Sequence, residues 1–255
     1  MSQRDEAGNL VLADLQRASR TGRHHGRAGL SGARKLEFVE RFRKAGAGLT
    51  LIERMAADPE PSMREVAAVL LGDLGPEPRV LNLWRGLVED ADWEVREWAV
   101  DPLSRWAAAD LDGGRTRVGR HLAAASPRER RAALLALRHL VLHGRLSPLD
   151  ALVLAEPLFS DDDPYIAESL GSYVLGDALL RRSPVAVLGW LDAMLGETPG
   201  PARIVHLEHL LRSRAAAAHR AALRPLVERC AVSAPPHTGR RLMRWLIVEP
   251  TRGTP

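Results

Sequence analysis

Residues 83–106 read LWRGLVEDADWEVREWAVDPLSRW. This stretch holds four of the chain's six tryptophans and is the clearest copy of a recurring unit. The unit is an apolar helix ending near Val88, an acidic turn over 89–92, and a second helix opening on Val95-Arg96. On a helical wheel at about 100° per residue, Val95, Ala99, Pro102 and Trp106 share one face, which is expected to be core. Glu97, Asp101 and Arg105 share another, polar face, with Trp98 at its edge. Pro102 lacks an N–H and disfavours helix at the residue before it, so a kink is expected beside Asp101.

Working outward, the same unit recurs in register. Arg64, Arg96, Arg130, Ala167, Arg203 and Arg240 occupy one equivalent place, at spacings of 32, 34, 37, 36 and 37 residues. A two-helix unit repeated at that period predicts an all-α solenoid of about six helix pairs, wound as a right-handed superhelix. Helix starts agree with it. Ser126-Pro127, Ser147-Pro148, Asp163-Pro164 and Ser183-Pro184 each place a capping oxygen before a proline at the first helical position. Capping also explains Asp161, Asp162 and Asp163 better than calcium does. The repeat domain is expected over 34–250. Residues 1–33, with four glycines among arginines from Gly22 on, read as a flexible basic arm with a short helix over 11–16.

Composition narrows function. The chain has 255 residues, 45% of them hydrophobic, enough for a substantial core. No apolar run reaches the ~18 residues of a membrane span and the N-terminus is polar, so a soluble, cytoplasmic, monomeric protein is expected. The single cysteine, Cys230, excludes an intramolecular disulfide and a cysteine-based zinc cluster, and reads as a small buried helix residue. His24-His25 lacks a second ligand pair, and His206, Glu208 and His209 read as a solvated helix face, so neither metal nor cofactor is expected. No glycine-rich phosphate loop or strand-borne nucleophile points to nucleotide hydrolysis or acyl transfer. Only Lys35 and Lys44 are lysines; the other basic residues are arginines, which suit phosphate recognition. Residues 1–44 carry 10 basic and 5 acidic side chains and residues 201–255 carry 10 and 3, leaving 16 basic and 24 acidic in the middle.

The helix pair, acidic turn and Val-Arg opening resemble HEAT repeats over roughly residues 36–248. More narrowly, the Trp and Asp pattern of residues 92–101 resembles the HEAT-like alkylpurine DNA glycosylases of the AlkC/AlkD superfamily. Residues 162–194 are similar to their penultimate repeat, through Tyr165-Ile166, Gly171, Ser183-Pro184-Val185 and Trp190. In two places the chain departs from that pattern. Ser172-Tyr173 stands where the family carries a Trp, and Trp98 and Asp101 are three apart rather than four.

The resemblance implies removal of cationic N3- or N7-alkylated purines from duplex DNA without a metal or cofactor. A carboxylate would stabilise the oxocarbenium-like sugar, and an aromatic face would attract the cationic base. Asp101 is the expected carboxylate and Glu97 the alternative. Trp98, Tyr173, Trp190 and Trp93 are the expected lesion or substrate contacts. Duplex DNA is expected to meet Arg64, Arg96, Arg105, Arg130, Arg131, Arg203, Arg240, Arg241 and Arg244. Two alternatives stay open. Arg96 and its equivalents could form an inter-repeat ladder with acidic turns such as Asp90, and the acidic middle suits a non-catalytic scaffold that binds a protein partner.

Overall fold

The structure is a computed structural model that describes residues 3–24 and 27–247. His25 of the expected-inert histidine pair lies outside them. The chain divides at Asp110/Leu111 into two compact units, where one repeat domain was expected. Both are built from packed helices, and the fold is all-α and HEAT-like; among the described residues the one extended feature is a two-residue antiparallel pair, β1 (Arg23–His24) and β2 (Arg27–Ala28).

Unit 1 contains three pairs: α1 (Gln3–Thr21) with α2 (Gly32–Ala45), α3 (Leu49–Ala56) with α4 (Pro61–Leu71), and α5 (Pro78–Val88) with the broken helix α6 (Trp93–Trp98) and α7 (Val100–Ala109). Unit 2 contains four. In chain order they are α8 (Leu111–Leu122) then α9 (Pro127–Leu142), α10 (Pro148–Ala155) then α11 (Pro164–Glu168), α12 (Pro184–Leu195) then α13 (Pro201–Leu210), and α15 (Arg220–Ser233) then α16 (Pro236–Ile247); α8 packs on α9 and α15 on α16, while α12 packs on α10, on α15 and on residues 169–180. The short α14 (Arg214–Ala218) joins the last two pairs, and α11 continues as a π-helix over Ser169–Leu180.

The described residues thus form seven pairs, because the expected flexible arm is largely helix α1. Gly8, Leu12, Leu15 and Ser19 recur at helical spacing and are buried. The Leu30 N–H donates to Ser62 Oγ at 3.2 Å, fastening the following segment to α4. Second helices lie side by side within each unit: α2, α4 and α6–α7 in the first, α9, the π-helix, α13 and α16 in the second. Helix α4 is buried along almost its whole length, so Met63, Val66 and Leu70 form the centre of unit 1. Among the described residues no helix is long and apolar enough to cross a membrane.

Most capping expectations hold. Ser126, Ser147 and Asp163 accept N–H groups of Glu129, Asp150 and Tyr165. Ser183 makes no side-chain cap, and its backbone (φ −147°, ψ 69°) departs from the extended conformation of the other caps. Cys230 is buried, and burial pushes its thiol up to about 11.

Candidate nucleic-acid interface

The repeated arginines have a structural task first. In three inter-helix turns an aspartate Oδ1 accepts the N–H two residues on: Asp58 from Glu60 (2.9 Å), Asp90 from Asp92 (2.8 Å) and Asp161 from Asp163 (3.0 Å). At the turns beginning with Asp58, Asp90 and Ala124, the arginine six residues on donates back to the turn's carbonyls. Arg64 reaches Asp58 and Pro59, Arg96 reaches Asp90 and Ala91, and Arg130 reaches Ala124 and Ala125. Arg64 also grips Asp90 of the next turn with two bonds of 2.7 and 3.0 Å, and Arg130 pairs with Asp161 at 3.0 Å. These are the rungs of the ladder. Ala124 stands where the other turns carry Asp, and Arg96 has no carboxylate partner among the described residues.

Other expected DNA contacts are also engaged. Arg131 is buried with its guanidinium 4.7 Å from the Tyr165 ring centroid, and Arg203 donates to the Met194 carbonyl and to Ser160 Oγ. Arg241 pairs with Glu208 at 2.8 Å. Arg240 and Arg244 are exposed and make no ion pair among the described residues.

In unit 1 the second helix of the quoted stretch breaks at Ala99, as Pro102 requires. The buried Trp84 donates its indole N–H to the Ala99 carbonyl at 2.7 Å, satisfying an acceptor at the break. Val95, Ala99, Pro102 and Trp106 are all buried, as the wheel predicts. Asp101 lies half exposed, with Oδ2 shielded and 3.6 Å from Arg105 Nη1. Arg105 also binds Asp73, which Arg43 holds from the other side at 2.9 and 3.1 Å. Burial pushes the Asp101 carboxyl above its ordinary value, against the pull of Arg105. Glu97 is half buried on the same strip, and Trp93 is 55% exposed at the start of α6.

Trp98 faces a different neighbourhood. Its ring lies against Gly32 of α2, and Lys35 Nζ stands 5.6 Å from the ring centroid. Lys35 is itself buried and pairs with buried Glu65 and, at 3.1 Å, with Glu94. Burial raises the Glu65 carboxyl to about 7 although Lys35 pulls it down. This cluster of α2, α4 and α6 was not foreseen from sequence. One lysine among thirty-four arginines was its only mark.

Unit 2 carries an open groove of about 830 Å³ on its second helices. Arg138 and Leu142 of α9 form one wall; Arg212, Ser213, Arg214 and Ala215 form the other. The floor comes from the π-helix and the residue flanking each of its ends: Glu168, Ser172, Tyr173, Asp177 and Arg181. Ordinary α-winding at about 100° per residue spreads these five over roughly 220°. The wider π-turn, about 82° per residue, gathers them within roughly 80°, on one face. Its bulk fits because Gly171 and Gly176 have no side chains. A Cβ on Gly171 would lie 2.5 Å from the His206 carbonyl oxygen, and one on Gly176 would lie 2.5 Å from Ser213 Cβ. Ser172 Oγ donates to the His209 carbonyl at 2.9 Å, pinning the π-helix to α13.

Tyr173 therefore lines a groove with four arginines (Arg138, Arg181, Arg212 and Arg214), all of them absent from the sequence expectations. Trp190 does not line this groove. It packs on Phe159 with centroids 4.9 Å apart, and Phe159 packs on His206 at 5.3 Å. His206 and Glu208 are buried rather than solvated. His206 Nε2 meets the Asp161 carbonyl at 3.0 Å, and burial depresses the imidazole to about 4. Among the described residues no three His, Cys, Asp or Glu side chains are grouped to hold a metal.

No protein-family model matches the chain, and no curated protein does. Solved structures do. The Streptococcus mutans protein of the crystal structure titled smu.31 superposes with a TM-score of 0.60 at 16% identity, covering 83% of this chain and 98% of its own. AlkD2 from Streptococcus mutans superposes with a TM-score of 0.66 at 15% identity, over 80% of this chain and 98% of AlkD2. The chain thus has the helical fold of AlkD2, reached at an identity that speaks for fold alone.

Proposed function

We propose that this chain binds duplex DNA along the second-helix groove of unit 2 and excises cationic N3- or N7-alkylated purines. The groove carries the proposal: four guanidiniums (Arg138, Arg181, Arg212, Arg214) line it together with Tyr173, on a floor aligned by π-winding. Guanidiniums suit the phosphates of a strand, and an aromatic face among them suits a cationic base. The resemblance of residues 92–101 and 162–194 to alkylpurine glycosylases supports the excision step. In that step the C–N glycosidic bond breaks, its electron pair leaves with the base, and a carboxylate stabilises the sugar cation until water adds; the resemblance of residues 92–101 names Asp101 for that role.

Fluorescence anisotropy with a labelled duplex tests binding. Contacts to four phosphates give a log–log salt slope near −4. Changing Arg181 and Arg214 together to Gln should lower it by about 2. No duplex binding at ~50 mM salt would sink the proposal. Incubation with methylated duplex DNA, with released base measured, tests excision. Asp101→Asn should slow release by ~10²–10³. Slowing by Glu97→Gln alone would move the role to Glu97, and no release by the unaltered chain would remove the enzyme.

The ladder favours a second reading. Arg64, Arg96, Arg130 and Arg203 hold the repeats together, which leaves less basic surface for DNA. A non-catalytic repeat scaffold would recover one stoichiometric protein partner in a pull-down and retain no DNA.

A further inference from the structure

A second cavity of unit 2, of about 410 Å³, lies where α13, α14, α15 and α16 meet. Its apolar wall is Leu211, Ala217, Leu242 and the half-buried ring of Trp245. Arg212, Arg220, Arg241 and Arg244 surround it, and Glu208 is the one carboxylate among its lining residues. Four guanidiniums against one carboxylate leave a local charge of +3.

The charges have different freedoms. Buried Glu208 accepts a hydrogen bond from Arg212 and forms an ion pair with Arg241, both at 2.8 Å through the same oxygen, so it fixes two guanidiniums without satisfying all of their N–H groups. Arg220 stacks 4.3 Å from the Trp245 ring centroid and donates to the Trp245 carbonyl, which holds the ring in place. Arg244 is exposed, with no ion pair among the described residues. The result is a flat apolar wall beside a set of pre-positioned, incompletely satisfied guanidiniums. Its volume lies in the range, roughly 300–1,000 Å³, of small-ligand sites.

We infer that this cavity binds a nucleotide unit ending in a phosphate monoester, with the base against Trp245 and Leu242 and the phosphate held by Arg241, Arg244 and Arg212. The charge selects the monoester. At neutral pH a terminal phosphate carries about −1.5 to −2, whereas an internal phosphodiester carries a single charge. A free nucleotide and the phosphorylated end of a strand share this chemistry. The inference shares Arg212 with the groove proposal but does not rest on it, since a mononucleotide needs no duplex.

Isothermal titration calorimetry of the full chain tests it with 2′-deoxyguanosine 5′-monophosphate, deoxyguanosine, inorganic phosphate, and a short single strand with or without a 5′-phosphate. The monophosphate should bind at least about tenfold more tightly than the nucleoside or inorganic phosphate. Arg244→Gln and Arg241→Gln should each weaken it about tenfold, the loss expected for one charge-assisted hydrogen bond. A phosphorylated strand binding more tightly than both the free nucleotide and its hydroxyl counterpart identifies the strand end as ligand; the reverse identifies the free nucleotide. No heat from the monophosphate at millimolar concentration, equal binding of inorganic phosphate, or unchanged binding by Arg244→Gln would each overturn it.

Discussion

Lys35→Met should be among the most damaging single substitutions in the chain. It removes the ammonium that Glu65 and Glu94 share inside unit 1. The side chains of Lys35 and Glu65 are 3% and 1% exposed, so no solvent screens the loss. Glu94, at 29%, can turn towards water. Removing one partner of a buried pair costs about 3–5 kcal/mol, because the other charge is left uncompensated. The loss must depend on pH. In the intact protein burial already raises Glu65 from 4.5 to about 7. A carboxyl raised on folding contributes stability that is complete below the unfolded value and is lost as pH rises through the folded one. The window is therefore pH 4.5 to 7, and the contribution is about 3 kcal/mol. Without Lys35 the carboxyl rises further and stays protonated over more of the range, so the damage at pH 5 should be well below that at pH 8. Urea unfolding at both pH values measures it. A loss under about 1 kcal/mol at pH 8, or an equal loss at both, would refute the reasoning. Adding Glu65→Leu to Lys35→Met should recover most of the stability, since an apolar pair replaces a buried ionic one at little cost.

His206 gives the opposite slope: its imidazole is depressed to about 4, so its contribution is present above its ordinary 6.5 and lost as pH falls from there. His206→Phe keeps the stack on Phe159 and should flatten the acid limb of a stability–pH curve over that window; an unchanged limb counts against it. Gly171→Ala forces a Cβ to within 2.5 Å of the His206 carbonyl and should destabilise by about 1–3 kcal/mol in thermal or urea unfolding. Trp84→Phe leaves the Ala99 carbonyl without its indole donor and should cost about 1–3 kcal/mol, with no change expected from Trp93→Phe, whose ring is exposed.

The repeat was legible because its signals are local. Apolar spacing, capping Ser and Asp residues and the Arg register act within one helix pair or between adjacent ones, and all but the Ser183 cap reappear in the fold. Ala99's break was legible for the same reason, since a proline acts on its own backbone. Helix α1 was hidden by composition. Its buried face includes Gly8 and Ser19, which do not score as apolar, so a helical stripe looked like a polar arm. The site was less legible still. The Arg register marked residues that bind turns as readily as phosphates, and only coordinates show that Arg64 and Arg130 already have carboxylates. The groove escaped notice because a wheel drawn at α-helical pitch puts Glu168 and Asp177 on opposite sides. Lys35, Glu65 and Glu94 are separated by 30 and 29 residues, and their meeting is a property of stacking rather than of any one helix.

The π-winding of residues 169–180 has an evolutionary corollary. A helix of this pitch keeps its alignment through its count of residues as much as through their kinds. Deleting one residue between Tyr173 and Asp177 would swing everything downstream by roughly 80–100° about the axis. It would carry Arg181 off the face that Tyr173 occupies while leaving every remaining side chain chemically intact. Substitutions at Ser172 or Val174 would be milder than any such change in length. Among descendants of this chain, drift in this segment should therefore proceed by replacement, and a gap here would mark a lineage in which the groove has been abandoned.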